Sequence, residues 1–160
     1  PLMGTRPRFQ LEPVDWSLRP FPLLCCSPLP QTETSHTIRQ LDHVAIHVAD
    51  VPRSIAFYQD VMGLVPMPRP DFDFPGAWFH LGSSQHLHLI GNRDQTVHSH
   101  HRGTHFALQV DDLDVWEKRI DKQGAERLAR KIRPDGALQT FVKDPDGHWI
   151  ELCKLPIDPV

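Results

Sequence analysis

HVAIHVADV (43–51) and HFALQVDDL (105–113) decide the fold, because they are two copies of one pattern. His43 falls on His105, Ala45 on Ala107, Val48 on Val110 and Asp50 on Asp112, 62 residues apart. LDHVAIHV (41–48) alternates and is rich in β-branched residues, which predicts a strand. Asp50 is a helix N-cap and Pro52 suits a first helical turn. Ile55, Phe57, Tyr58, Val61 and Met62 then form an apolar stripe at helical spacing, and Gly63 ends it. A proline-rich loop occupies 66–76. AWFHLG (77–82) and HLHLIG (86–91) predict two short strands joined by a tight turn at Gly82–Ser84. The second copy has its own Asp cap, a helix carrying Leu113, Trp116 and Ile120, and a stop at Gly124. Strands follow at LQTFVKD (138–144) and HWIELCK (148–154), with DPDG (144–147) turning between them.

The unit is therefore strand, helix, then two or three strands, made twice, which predicts an α+β fold with two sheets paired around a shared axis. LHL (87–89) ends the first unit and IEL (150–152) the second, so His88 corresponds to Glu151. Strand alternation places His43, Ala45 and His47 on one face, and likewise His105, Ala107 and Gln109. His86 shares a face with His88, and register against Glu151 selects His88. Where the ligand-bearing faces line a common cavity, His43, His88, His105 and Glu151 converge. Three imidazoles and one carboxylate suit a first-row divalent ion with open positions. HSHHRG (98–103) reads as a solvated linker. Phe72, Phe74 and Trp78 either cover the cavity or pack on the sheet, and Arg53 and Arg102 are candidate contacts for an anionic substrate.

The rest of the chain sets bounds. Residues 1–38 read as an irregular arm: seven of the 16 prolines lie there and no periodicity runs through them. Residues 39–155 form one folded domain of ordinary size, followed by a tail at 156–160. A net charge of −3 without a basic block argues against nucleic acid, and no apolar run is long enough to span a bilayer. Three cysteines, with Cys25 and Cys26 adjacent, make no disulfide framework, so a reducing, cytoplasmic setting is expected.

LDHVAIHVADVPRSIAFYQDVMGL (41–64), HLHLIG (86–91), HFALQVDDLD (105–114) and FVKDPDGHWIEL (141–152) together resemble the vicinal oxygen chelate superfamily. That group includes glyoxalase I, fosfomycin-resistance proteins, extradiol dioxygenases and bleomycin-resistance proteins. The resemblance implies two tandem βαβββ units forming an incomplete barrel around one divalent ion (Fe2+, Zn2+, Ni2+, Co2+ or Mn2+). It places the family's ligand positions on His43, His88, His105 and Glu151, with Glu151 as proton carrier. It also implies a homodimer acting on a small substrate through two adjacent oxygens, in lyase or isomerase chemistry. An iron(II) extradiol-type dioxygenase and a non-catalytic, bleomycin-type binding protein are the alternatives. The chain departs from bacterial glyoxalase I at His88, where those enzymes usually carry a carboxylate.

Overall fold

A computed structural model describes residues 37–156. The arm and the tail expected from the sequence lie outside these residues, apart from 37–38 and 156. Each sequence unit folds as a four-stranded sheet with one helix. The first has β1 (His43–His47), α1 (Val51–Ala56), β2 (Pro66–Met67), β3 (Gly76–Leu81) and β4 (Gln85–Ile90). The second has β5 (Phe106–Gln109), α2 (Leu113–Lys122), β6 (Lys131–Ile132), β7 (Leu138–Lys143) and β8 (Trp149–Lys154). The sheet orders are β1-β4-β3-β2 and β5-β8-β7-β6, the same path drawn twice. Each unit thus has three strands after its helix.

The caps act as the sequence predicts. The Asp50 side chain accepts from the Arg53 backbone N–H, and Asp112 from those of Asp114 and Val115. The first helix widens into a π-helical turn over Phe57–Val61 and stops at Gly63, whose φ is +64°. A side chain at Gly63 would be strained by that φ, and its Cβ would meet the Arg119 guanidinium at 2.9 Å. Arg119 donates from Nε to the Val61 carbonyl at 2.7 Å, so a cation of the second unit caps the helix of the first.

Similar links join the units elsewhere. Tyr58 donates its hydroxyl to Asp144 at 2.9 Å. Asp146 accepts from the Ala49 backbone N–H (2.8 Å), the Ser54 hydroxyl (3.1 Å) and Arg93 (3.0 Å). The first unit's helix is thereby pinned to the DPDG turn of the second.

One hydrophobic core serves both units. Ile46, Val48, Leu87 and Leu89 join Val110, Val142, Ile150 and Leu152 in it, with Tyr58, Met62, Leu113 and Ile120 from the helical segments. Burying each large aliphatic side chain contributes about 1.5–3 kcal/mol. Both sheets therefore turn their aliphatic face and their helix towards this shared core. By strand alternation, the residues between these positions lie on the opposite face of each sheet. Those are the faces that carry the candidate ligands.

Candidate metal centre

The register equates the positions paired by sequence. In the first sheet β1 runs parallel to β4 with Ala45 opposite His88, and in the second β5 runs parallel to β8 with Ala107 opposite Glu151. His43 sits opposite His86, one step along.

In the first unit the pair is made by ring stacking. The His43 and His88 rings are 4.2 Å apart with an interplanar angle of 17°. His88 also stacks on Trp78, its cross-strand neighbour on β3, at 4.0 Å and 7°. The aromatic row continues through Phe72, 6.0 Å from Trp78, to Phe74, with the Arg69 guanidinium over both phenylalanines. The proline-rich loop thus packs on the ligand face of this sheet, beside His88. Asp42 holds His43 at Nδ1 over 2.8 Å. His86 lies edge-on to His80 at 5.9 Å and near-parallel to the His88 ring at 6.1 Å.

His88 supplies a test of whether the site fits a metal. Its Nε2 is buried and has no hydrogen-bond partner among the described residues. Burial, then the nearby His43 and His86, lowers its proton affinity. The ring is thus neutral at pH 7, the form that ligates a metal. Buried polar atoms are nearly always partnered, so a lone one asks for an explanation.

In the second unit the pair is made by a polar contact. His105 Nε2 lies 3.0 Å from Glu151 Oε2, while its Nδ1 faces the Gly103 carbonyl at 3.1 Å. Both ring nitrogens therefore face oxygen acceptors. A neutral ring carries only one N–H and leaves one contact without a proton; a cation between Nε2 and Oε2 would satisfy that contact. Glu151 is only 5% exposed, and its other oxygen accepts from Arg133 Nη1 at 3.3 Å. Arg133 is itself held by Asp135. These contacts and the adjacent acids hold the Arg133 guanidinium firmly protonated. Phe141 stands opposite Glu151 and presents its ring to His105 at 5.2 Å. Cys153, two residues on, is buried, which pushes its thiol pKa up.

The donor types of both pairs fit a divalent ion, but one chain does not gather all four. No group of three or more His, Cys, Asp or Glu side chains is placed to hold a metal among the described residues. The sequence leaves open whether one chain or two supply the ligands; within one chain they stand as two separate pairs. The reason is the shared core: each pair sits on the sheet face turned away from it. A cavity of about 420 Å3 between the β1 and β5 edges includes His105 and His47 in its wall, but not His43, His88 or Glu151.

Other sequence candidates take different places. Among the described residues, the Arg53 side chain meets no carboxylate. His101 is half-buried, its ring against Phe141 and Trp149, whereas the sequence predicts a solvated linker. Arg133 and Asp146 are missed by sequence reasoning, since neither sits in a pattern that marks its distant partner. No helix among the described residues is long and apolar enough to cross a membrane.

Comparison with known proteins agrees with this architecture. The family model for the Glyoxalase/Bleomycin resistance protein/Dioxygenase superfamily matches residues 40–152. The chain is 30% identical over 135 residues to "Glyoxylase I 4" of Arabidopsis thaliana, covering 77% of this chain and 76% of that one. It is 31% identical over 124 residues to the lactoylglutathione lyase of Salmonella typhimurium, covering 72% and 92% respectively. Its fold matches a Listeria monocytogenes fosfomycin resistance protein, FosX, solved as an E126Q mutant with Mn(II) and 1S,2S-dihydroxypropylphosphonic acid. The TM-score is 0.64, with 20% identity over 76% of this chain and 96% of that one. With a matched model spanning both repeats, this chain belongs to the Glyoxalase/Bleomycin resistance protein/Dioxygenase superfamily.

Proposed function

We propose that the protein is a metal-dependent lyase or isomerase whose centre is assembled from two copies of the chain. His43 and His88 of one copy would face His105 and Glu151 of the other. The observation that carries this reading is the partition of the ligand set: two complementary pairs, each on a sheet face turned away from the shared core. The unpartnered Nε2 of His88 and the His105–Glu151 contact are the open valences such an arrangement would use. The lyase relatives and the Mn(II)-bound FosX support a metal-dependent reaction on a small oxygen-rich substrate.

When bound, a divalent ion supplies Lewis acidity to two adjacent substrate oxygens. The protein's own residues do the rest. His88, neutral and stacked between aromatic rings, is a rigid donor whose unpartnered Nε2 is free to ligate. Glu151 is the carboxylate of the set and would serve as general base, its Oε2 turning away from His105 to take a proton from substrate carbon while Arg133 holds Oε1. Arg133 keeps the carboxylate oriented through that exchange. Trp78 and Phe72 form an apolar wall beside the site, which excludes water from His88.

The test is complementation. His43→Ala and His105→Ala are prepared separately and mixed under conditions that exchange subunits. If the centre spans two chains, each single variant binds no metal, and the heterodimer regains one intact site with bound metal and activity. Absence of metal in wild-type protein would refute the metal reading. Failure of the mixture to regain metal, with exchange demonstrated, would refute the two-chain assembly.

A further inference from the structure

We propose that a pocket formed by His101, Arg102 and Lys131 is an anion site that receives the charged head group of the substrate. It lies on the ligand face of the second sheet, next to the His105–Glu151 pair. The cavity measures about 120 Å3, with Leu128 and Phe141 supplying apolar wall and Gln139 a polar group. That volume admits one carboxylate or phosphate-type group and little more. Phe141 connects the two places: its ring touches the rings of His101 (5.7 Å) and His105 (5.2 Å), and it stands opposite Glu151 across the β7–β8 ladder.

The cations of the pocket are not committed elsewhere. The side chains of Arg127, Arg130 and Arg133 each meet two carboxylates, and Arg119 is held by carbonyls. Among the described residues, neither Arg102 nor Lys131 has an acidic partner. The contrast is sharpest along β6 and its exit. Lys131 and Arg133 fall two residues apart and so share a face; Arg133 is taken up by Glu151 and Asp135, while Lys131 turns to the pocket. His101 feels the same gathering of charge, since burial and then His100, Arg102, Lys131 and His105 lower its proton affinity. Arg102 and Lys131 are themselves exposed, but they converge beside the apolar wall of Leu128 and Phe141, where an oxyanion can meet both at once.

The pocket is also built in advance of any ligand. The 99–105 loop closes on itself: His100 N–H donates to the Thr104 carbonyl (3.1 Å), and Gly103 N–H to that of His100 (2.9 Å). It is fastened to β8 by the Trp149 N–H donating to Ser99 Oγ at 2.9 Å. The Arg102 N–H is held by His100 Nδ1 at 3.1 Å. Its anchor points are therefore fixed, and binding need only order two long side chains.

This inference rests on the metal reading for what the rest of the substrate does: two oxygens at the metal, an anionic head a ring's width away. The pocket itself does not need the metal, and the experiment exploits that. Inorganic phosphate and acetate, the two head-group chemistries, are titrated at constant ionic strength into wild type, His43→Ala and the Arg102→Gln/Lys131→Gln double variant. Ring resonances of His101 and Phe141 and the amide resonances of Gln139 are followed by NMR. At least one anion should saturate wild type and His43→Ala alike with shifts at all three residues. The double variant should bind it about tenfold more weakly or worse, with its metal content unchanged. Saturation by neither anion, equal binding to the double variant, or binding lost in His43→Ala would overturn the proposal. The last of these would put the anion on the metal. A wild type without metal that still binds the anion through Arg102 and Lys131 would sink the metal reading and leave the pocket standing.

Discussion

The two repeats share a backbone and differ in how they hold their ligands. In the first, the His88 ring is held by stacking with Trp78 and with His43, and an aromatic loop lies beyond. In the second, Glu151 is held by polar partners, the His105 ring on one oxygen and the Arg133 guanidinium on the other. Register makes positions 88 and 151 equivalent, so the sheet does not impose this difference. It follows from the ligands themselves. A neutral imidazole can be oriented by stacking, which costs it no charge, whereas a carboxylate buried to 5% exposure requires cationic or N–H partners. The repeat thus fixes where a ligand stands, and the surrounding side chains fix what kind of ligand it can be.

That comparison can be broken at several places. The largest effect is expected in the core. Leu89→Ala and Leu152→Ala remove equivalent side chains from one shared cluster, and each should cost about 2–5 kcal/mol. Urea unfolding of both should remain a single transition; two transitions would show that the units fold independently. The next is Glu151→Gln. Supporting partners of metal ligands are worth roughly 10–100-fold in affinity, so loss of the ligand itself should exceed about 100-fold. Calorimetric titration with Mn(II) or Zn(II) reads it, and unchanged affinity would remove Glu151 from the centre. Trp78→Ala comes third: it takes away the surface that orients His88 and should weaken metal binding about tenfold. Added salt should not mimic this loss, since no charge is removed. The smallest is Asp42→Asn. Asp42 is exposed, so losing its contact with His43 should weaken metal affinity only a few-fold, an effect that fades as salt is raised.

The sequence carries the fold where the chain punctuates itself. Asp50 and Asp112 before the helices, Gly63 and Gly124 after them, and alternation through 43–48 and 86–90 mark elements that form as read. The short edge strands are not visible in this way. Pro66–Met67 and Lys131–Ile132 are two residues each, too short for any period, and they exist because β3 and β7 offer an edge. The π-helical turn at Phe57–Val61 likewise leaves no mark in the apolar stripe. Of the candidate site, the repeat yields the four positions and favours 88 over 86. The contacts of Arg133 with Glu151 and of Trp78 with His88 are set by tertiary packing, which no local pattern records. The separation of the four residues into two pairs is equally hidden, because it follows from which face of each sheet meets the shared core.

The strict registers of β4 and β8 also constrain how this chain can change length. Side chains alternate faces along a strand, so one residue inserted within 85–90 exchanges Leu87 or Leu89 for His88 on the ligand face, and one within 149–154 does the same to Glu151. The loops at 68–75 and 91–104 carry no such frame. Relatives of this chain should therefore differ in length in those loops while keeping the strand segments intact to the residue: the centre has a reading frame, and it is counted in strands.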